Sequence, residues 1–279
     1  MTQAAEAEPG PAPSRAGRAA PLSRRDRMRA ATMEEIKQTA RRLLVEKGSE
    51  AVSLRAIARE MGMTAPGLYR YYGSHEELIR NVVAAIFAEL AEDIDRAIRG
   101  AGEEFTGGTP EQHSAKMTAK MVAACGEFRR WSLDHKGEFG LLFGVPLPGL
   151  DGGRYDIADE CALQFAGTFF ALFLELWHEA RFPVPEPGEI DPGLRDQLTR
   201  YRDALGADLP VGAVLTFLRC WMLLYGAVAM EVFGHLSFAL EDASPMFDIT
   251  LGELARLVGL PYPPAPLPPH QPRWSPLAQ

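Results

Sequence analysis

Residues 52–78 read VSLRAIAREMGMTAPGLYRYYGSHEEL, and the punctuation of this stretch decides the fold. Ser53 is placed to cap a short helix, Leu54–Glu60, whose Leu54, Ile57, Ala58 and Met61 share one face at the 3.6-residue period. Gly62 supplies the left-handed conformation that a sharp reversal commonly uses. Thr64 can cap the next helix, and Pro66 falls in its first turn, where a missing N–H costs nothing. That helix is short and closes near Tyr72 and Gly73. Ser74, followed three residues later by Glu77, forms a capping box that launches a long helix through Leu78, Val82, Ile86 and Leu90 to about Ile98. Upstream, Met33, Ile36, Ala40, Leu43 and Leu44 predict a helix over residues 32–47, ended by Gly48.

Two short helices at a steep angle, the second exposed, make a helix-turn-helix that lays its second helix in a DNA major groove. The residue types suit that task. Tyr69 and Tyr71 offer hydroxyls and flat faces, Arg70 a long cation, and Thr64 a hydroxyl beside a helix N-terminus that favours phosphate. Small Ala65, Pro66 and Gly67 allow close approach to base edges, and Arg55 can reach a phosphate or a guanine. The competing reading is an ordinary helical hairpin with its aromatics packed away. Leu68 and Tyr72, four residues apart, do join Leu54 and Ile57 on the inner face, but Tyr69 and Arg70 cannot both follow them.

The charge distribution agrees with a chain that meets a polyanion at one end. Of 279 residues, the first 80 carry 14 Lys/Arg against 10 Asp/Glu, a balance of +4, and the remainder carry 15 against 27, a balance of −12. Residues 1–31 lack apolar periodicity and are expected to form a flexible arm, in which Arg15, Arg18, Arg24, Arg25, Arg27 and Arg29 face only Asp26 over residues 15–29. Such an arm either lies along DNA phosphates or is an inert leader. A Gly/Thr/Pro segment at 100–110 reads as a hinge. Beyond it, helical patterns cover 112–136, 137–143, 159–181, 191–206, 211–237 and 244–258, with Pro/Gly-rich breaks at 145–153 and 183–188 and no convincing strand. Residues 261–279 are Pro-rich and expected to be disordered or extended.

The chain is therefore expected to be all-α: an N-terminal three-helix helix-turn-helix DNA-binding domain (32–79) plus a C-terminal helical domain (80–260). With 47 % hydrophobic residues it can bury a sizeable core. Cys125, Cys161 and Cys220 are far apart in apolar runs, as reduced core cysteines of a cytoplasmic protein would be. No apolar leader marks a secretory signal, and no membrane span is expected, since the apolar runs at 161–177 and 211–233 are interrupted by Gln164 and Glu175 and by Arg219 and Glu231. The six histidines show no i, i+4 pairing and no cysteine at ligand spacing, so no metal site is expected, and no cofactor motif is present. An enzyme, or a helical interaction module without DNA, stands as the alternative class.

Residues 32–79 resemble the DNA-binding domain of the TetR/AcrR family of bacterial transcriptional regulators. The run G-M-T-A-P-G-L-Y-R-Y-Y-G-S-H-E-E-L over 62–78, preceded at the proper distance by A-I-A-R-E-M, carries the resemblance. It implies that Thr64 and Tyr69 hold backbone phosphates and that Arg55, Pro66, Gly67, Arg70 and Tyr71 face the groove. His75 stands where the family usually has a phosphate-binding Lys, so that contact is expected to be weak or pH-dependent; Gly67 replaces a hydroxyl residue. W-M-L-L-Y-G-A-V-A-M-E-V-F-G-H-L at 221–236 is similar to a C-terminal pattern of one family branch, with Tyr225 where that branch tends to have His. The resemblance further implies a homodimer built on the last two long helices, a double-stranded DNA operator, an unidentified small-molecule effector, and repression released by that effector. An effector pocket would be mostly apolar, drawing on Cys125, Trp131, His135, Phe139, Phe169, Phe173, Trp177, His178, Trp221 and Tyr225, with a hydrogen bond from His135 or His178.

Overall fold

The caps foreseen in the sequence are used. In the computed structural model, which describes residues 23–48, 52–103, 105, 109–144 and 157–262 (of 157–162 the backbone alone), Ser53 Oγ accepts from the Ala56 N–H (3.1 Å) and Thr64 Oγ1 from the Gly67 N–H (3.3 Å). The intervening helix ends in a Schellman turn: Met63 N–H reaches the Ala58 carbonyl (2.8 Å), Gly62 N–H the Arg59 carbonyl (3.3 Å), and Gly62 takes φ 64°. Ser74 Oγ accepts from the Glu77 N–H (3.1 Å). The Glu77 carboxylate reaches back one residue further than a standard capping box, to the Gly73 N–H (2.7 Å).

Among the described residues all regular structure is helical: α1 Arg24–Lys47, α2 Leu54–Glu60, α3 Ala65–Leu68, α4 His75–Glu103, α5 Pro110–Asp134, α6 Lys136–Phe143, α7 Ile157–Glu179, α8 Pro192–Leu205, α9 Val211–Val232 and α10 Ser244–Leu257, with one 3-10 turn before α8. Four boundaries differ from expectation, one of them that of α3, which ends at Leu68 rather than near Tyr72 because the chain passes into turns over 69–71. The first helix starts at Arg24 rather than near residue 32, because Ser23 caps it, accepting from the Asp26 N–H (3.1 Å) and donating to Asp26 Oδ2 (2.7 Å). The last part of the expected flexible arm is thus helix, and residues 1–22 lie outside the described residues. α4 runs through Glu103, into the expected hinge. α9 stops at Val232, since Gly234 at φ 71° turns the chain away. At the C-terminal end Pro261 and Tyr262 are docked, the Pro261 carbonyl accepting from the Thr118 hydroxyl (3.3 Å) and Tyr262 packing on the core; residues 263–279, the bulk of the expected tail, lie outside the described residues.

One hydrophobic cluster runs without a break from Ile36, Ile57 and Leu68 through Leu78, Val82, Ile86, Phe87, Leu90 and Ile94 of α4 to Phe128, Phe165 and Leu224 of the body. Each such side chain fully buried contributes about 1.5–3 kcal/mol. α4 therefore belongs to both parts: it packs on α1 at one side and along α5 and α7 at the other. A second cluster, around Phe173, Trp177, Phe182, Leu198 and Phe217, holds α8 against α7 and α9.

α1 also touches the body directly at α6. Arg41 donates to Glu89 of α4 (2.6 Å) and to Glu138 of α6 (3.0 Å), a three-way ion pair that is largely shielded on the arginine side. Burial works against the Arg41 charge, but Glu89 and Glu138 outweigh it and raise the guanidinium pKa. Beside it Gly137 lies so close to Val45 that a β-carbon there would stand 2.4 Å from Val45 Cγ1.

Candidate nucleic-acid interface and effector cavity

The inward and outward faces of the helix-turn-helix sort as the pattern required. Leu54, Ile57, Leu68 and Tyr72 are buried, Leu68 and Ile57 completely, and Tyr72 sends its hydroxyl to the Met33 carbonyl (3.5 Å). Burial, with Glu34 and Glu77 nearby, raises the Tyr72 phenol pKa. Arg55, Thr64, Pro66, Tyr69 and Arg70 are exposed, Tyr69 at 52 %. Ala65 and Gly67 are half-buried. Thr64 Oγ1 uses its acceptor side for the helix cap, which leaves its proton to donate to a phosphate. A β-carbon at Gly67 would come 3.1 Å from that same Oγ1, so glycine there spares the cap.

Two residues sit differently from the expectation. Tyr71 is half-buried against the core, and the Arg29 guanidinium lies over its ring, 5.1 Å from the centroid. Its outward face is therefore already occupied by a cation. His75 is half-buried, and its Nε2 is shielded from solvent with no partner among the described residues. Shielded in this way, Nε2 is not available to a phosphate.

Inside the body a cavity of about 70 Å³ lies between α5, α7, α9 and α10. Of the ten residues expected to line a pocket, Cys125, Phe169, Phe173 and Trp221 do so. They are joined by Met117, Met121, Ala124, Leu172, Leu176, Phe217, Cys220, Leu224, Leu254 and Val258, which carry no chemical mark distinguishing them from core. The other six expected residues do not line it. Trp131 and Trp177 are buried structural side chains, and Trp177 packs on Phe182 under the Arg181 guanidinium. His178, one residue past Trp177 and so about 100° around the helix, is exposed. His135 breaks the chain between α5 and α6, stacked on Trp131 with Nδ1 3.0 Å from its carbonyl oxygen. Phe139 and Tyr225 belong to the adjoining aromatic cluster, where Tyr225 donates its hydroxyl to the Phe143 carbonyl (2.9 Å) and stacks on Trp221.

The cavity offers no ionised nucleophile. Burial pushes the Cys125 thiol up to about 12, with Cys220 adding to the effect; burial likewise pushes Cys220 up to about 12 against the opposing pull of Arg219. Behind the cavity, Arg129 of α5 is 6 % exposed and forks onto both oxygens of Glu231 of α9 (2.6 Å each), with a further bond to the Ser244 hydroxyl of α10 (3.0 Å) and its cation over Phe247 (5.0 Å). Among the described residues no group of three His, Cys, Asp or Glu side chains comes together as a metal site.

Comparison with known proteins agrees on both halves of the chain. Residues 36–82 match the model of bacterial regulatory proteins of the tetR family, and residues 121–254 that of the tetracyclin repressor-like C-terminal domain. Over 215 residues the chain is 26 % identical to the HTH-type transcriptional regulator Rv1816 of Mycobacterium tuberculosis (strain ATCC 25618 / H37Rv), covering 77 % of this chain and 86 % of that one. The structure superposes on that of the protein SCO4313 with a TM-score of 0.62 at 24 % identity, over 83 % of this chain and 98 % of the other. It also superposes on a protein of unknown function from Rhodococcus sp. RHA1, with a TM-score of 0.52 at 17 % identity, over 82 % and 94 %. At these identities the two structural likenesses speak for the fold alone.

Proposed function

Because the chain belongs to the TetR family of bacterial transcriptional regulators, which bind DNA and are not enzymes, we propose that it works as a cytoplasmic homodimeric repressor released from its operator by a mostly apolar small molecule. The observation that carries this reading is the exposed rim of the helix-turn-helix, Arg55, Thr64, Pro66, Tyr69 and Arg70, set on a buried frame that leaves these side chains no role in the monomer's core. Arg55 and Arg70 are assigned to the groove, Thr64 and Tyr69 to phosphates, and Ala65, Pro66 and Gly67 to the close approach.

The dimer is supported by α9 and α10. Met222 (70 % exposed), Met230, Met246 and Ile249 form an apolar face that the other described residues leave exposed. Among the described residues α9 is also the one helix long and apolar enough to cross a membrane, with a mean hydropathy of 1.7. Its packing on α8, α10 and α5, and the ion pair of its Glu231, suit a partner subunit better than a bilayer. A two-fold dimer presents two α3 helices to half-sites one or more helical turns, roughly 34–36 Å, apart.

The ligand response follows from size. Small-molecule sites usually enclose about 300–1,000 Å³, so an effector entering a 70 Å³ void has to part its walls. Met117 and Met121 are adaptable fillers. α5 and α7, which line the cavity, are the helices on which α4 rests, and α4 begins at the cap beneath the recognition helix. A ligand that prefers the widened body and an operator that prefers one spacing of the α3 helices each weaken the other's binding by the same factor.

A gel-shift titration against the upstream region of its own gene tests this. Tyr69→Phe is expected to weaken binding to every sequence, while Arg55→Ala costs about 1–3 kcal/mol and relaxes preference at one base position. A monomer in solution with no salt-sensitive, sequence-selective binding to any promoter would sink the proposal.

A further inference from the structure

The first two turns of α1 have no role in the core. Residues 23–31 are all exposed, and the first buried side chain of the helix is Ile36. Four of the first six helical residues are arginine, and the lone acid, Asp26, is engaged with the Ser23 cap. Cations in a first turn oppose the helix dipole at about 0.3–1 kcal/mol each, so they are not there to stabilise the helix. Among the described residues no carboxylate pairs with Arg24, Arg25 or Arg27.

Arg29 shows where this charge is aimed. Its Nη2 donates to the Arg70 carbonyl (3.1 Å) while its guanidinium lies over Tyr71, so the projecting end of α1 is fixed beside the recognition helix. Arg25 lies one helical turn further out on the same face, roughly 5–6 Å along the axis, and Arg24 and Arg27 continue the basic patch around it. A patch of guanidinium groups with no carboxylate partner among the described residues, rigidly continuous with a DNA-reading surface, is complementary to the phosphate backbone that flanks the bases being read.

We infer that Arg24, Arg25 and Arg27 form a phosphate clamp on double-stranded DNA, gripping the backbone outside the half-site that α3 occupies, with Arg29 as the residue that positions it. This rests on the DNA-binding reading above. The clamp supplies affinity and register, and no base preference.

The test uses the full chain and an operator fragment selected from random DNA by the wild type. Binding is titrated from 50 to 200 mM salt for wild type, for R24Q/R25Q/R27Q, for R24K/R25K/R27K, and for Tyr69→Phe. Each arginine that holds a phosphate in both protomers is expected to lower the slope of log K against log salt by about 2 on replacement by Gln. The hydroxyl-radical footprint should shorten at its outer edges, the selected base sequence should not change, and helicity should match wild type. The Lys variant should keep the slope, since a phosphate contact needs the charge. A Gln variant with unchanged slope and footprint, in a protein whose binding still falls with Tyr69→Phe, overturns the clamp alone. A Lys variant whose salt slope falls as far as that of the Gln variant also overturns it, by showing that the slope does not follow the charge at these positions. A wild type that selects no DNA removes the underlying reading and the clamp together.

Discussion

Replacing Gly137 by alanine should destabilise the protein or leave it unchanged, and the same replacement in a Val45→Ala background should stabilise it. In the wild-type structure the new β-carbon would stand 2.4 Å from Val45 Cγ1 and 3.3 and 3.4 Å from Val45 Cβ and Cγ2. Carbon atoms prefer about 3.5–4.0 Å, so α1 and α6 would have to part by roughly 1 Å or Val45 would have to leave its rotamer. Overpacking of this kind costs about 1–3 kcal/mol. Against it stands the gain from glycine to alanine in a helix, at most about 1 kcal/mol and less this near the end of α6. The net expectation is a loss of about 0–3 kcal/mol. Val45→Ala removes both γ-carbons, leaving only the 3.3 Å contact, and Val45 is 37 % exposed, so its own truncation costs little. Urea unfolding of the four proteins gives the coupling energy, expected at about 1–3 kcal/mol. Operator affinity of the same set should change in Gly137→Ala and return in the double variant, because the junction also carries Arg41 between Glu89 and Glu138. A coupling below about 0.5 kcal/mol, with alanine equally good in both backgrounds, would refute the packing of α1 on α6.

Other outcomes follow from single sites. Arg129→Met leaves Glu231 as a shielded, unpaired carboxylate and should cost about 3–5 kcal/mol in denaturant unfolding, while R129M/E231L recovers most of that loss; equal stability of the two variants would mean the pair is not shielded. Thr64→Ala removes the α3 cap, costing about 1 kcal/mol, and weakens operator binding, whereas Thr64→Ser keeps both. With their pKa raised to about 12, Cys125 and Cys220 should resist alkylation at pH 8 in the folded protein and react on unfolding. The sign of the linked stability is fixed by that direction: folded thiols hold their protons more tightly than unfolded ones, so their contribution is intact below about pH 9 and is lost as pH rises from there towards 12. A urea midpoint that climbs over that range would contradict the buried placement.

The helix-turn-helix could be read residue by residue because its signals are local: caps at Ser53, Thr64 and Ser74, a glycine with positive φ at Gly62, and a four-residue spacing from Leu68 to Tyr72. The start of α1 could not, since periodicity begins only at Met33 and the two earlier turns are held by a cap and by Arg29 reaching 41 residues along the chain. The cavity was legible in part. Phe169 and Phe173 share an inward face at i, i+4, but a tryptophan beside an empty space and one in solid core look alike in a string, as Trp221 and Trp131 show. Polarity alone does not place a histidine at the cavity: His178 is exposed and His135 stands at the junction of α5 and α6.

Under the proposed function, a cavity walled by methionine, leucine, phenylalanine, valine and two cysteine thiols has a consequence for what the regulator would tell apart. Sites that reject a near-match strongly do so by leaving one of their own buried polar groups unpaired when the wrong molecule enters. With walls of this chemistry, discrimination rests on volume and shape, at about 1–3 kcal/mol per methylene. Homologous apolar compounds should then form a graded series of inducers, each step in length changing the inducing concentration by roughly 10- to 200-fold until the walls can part no further.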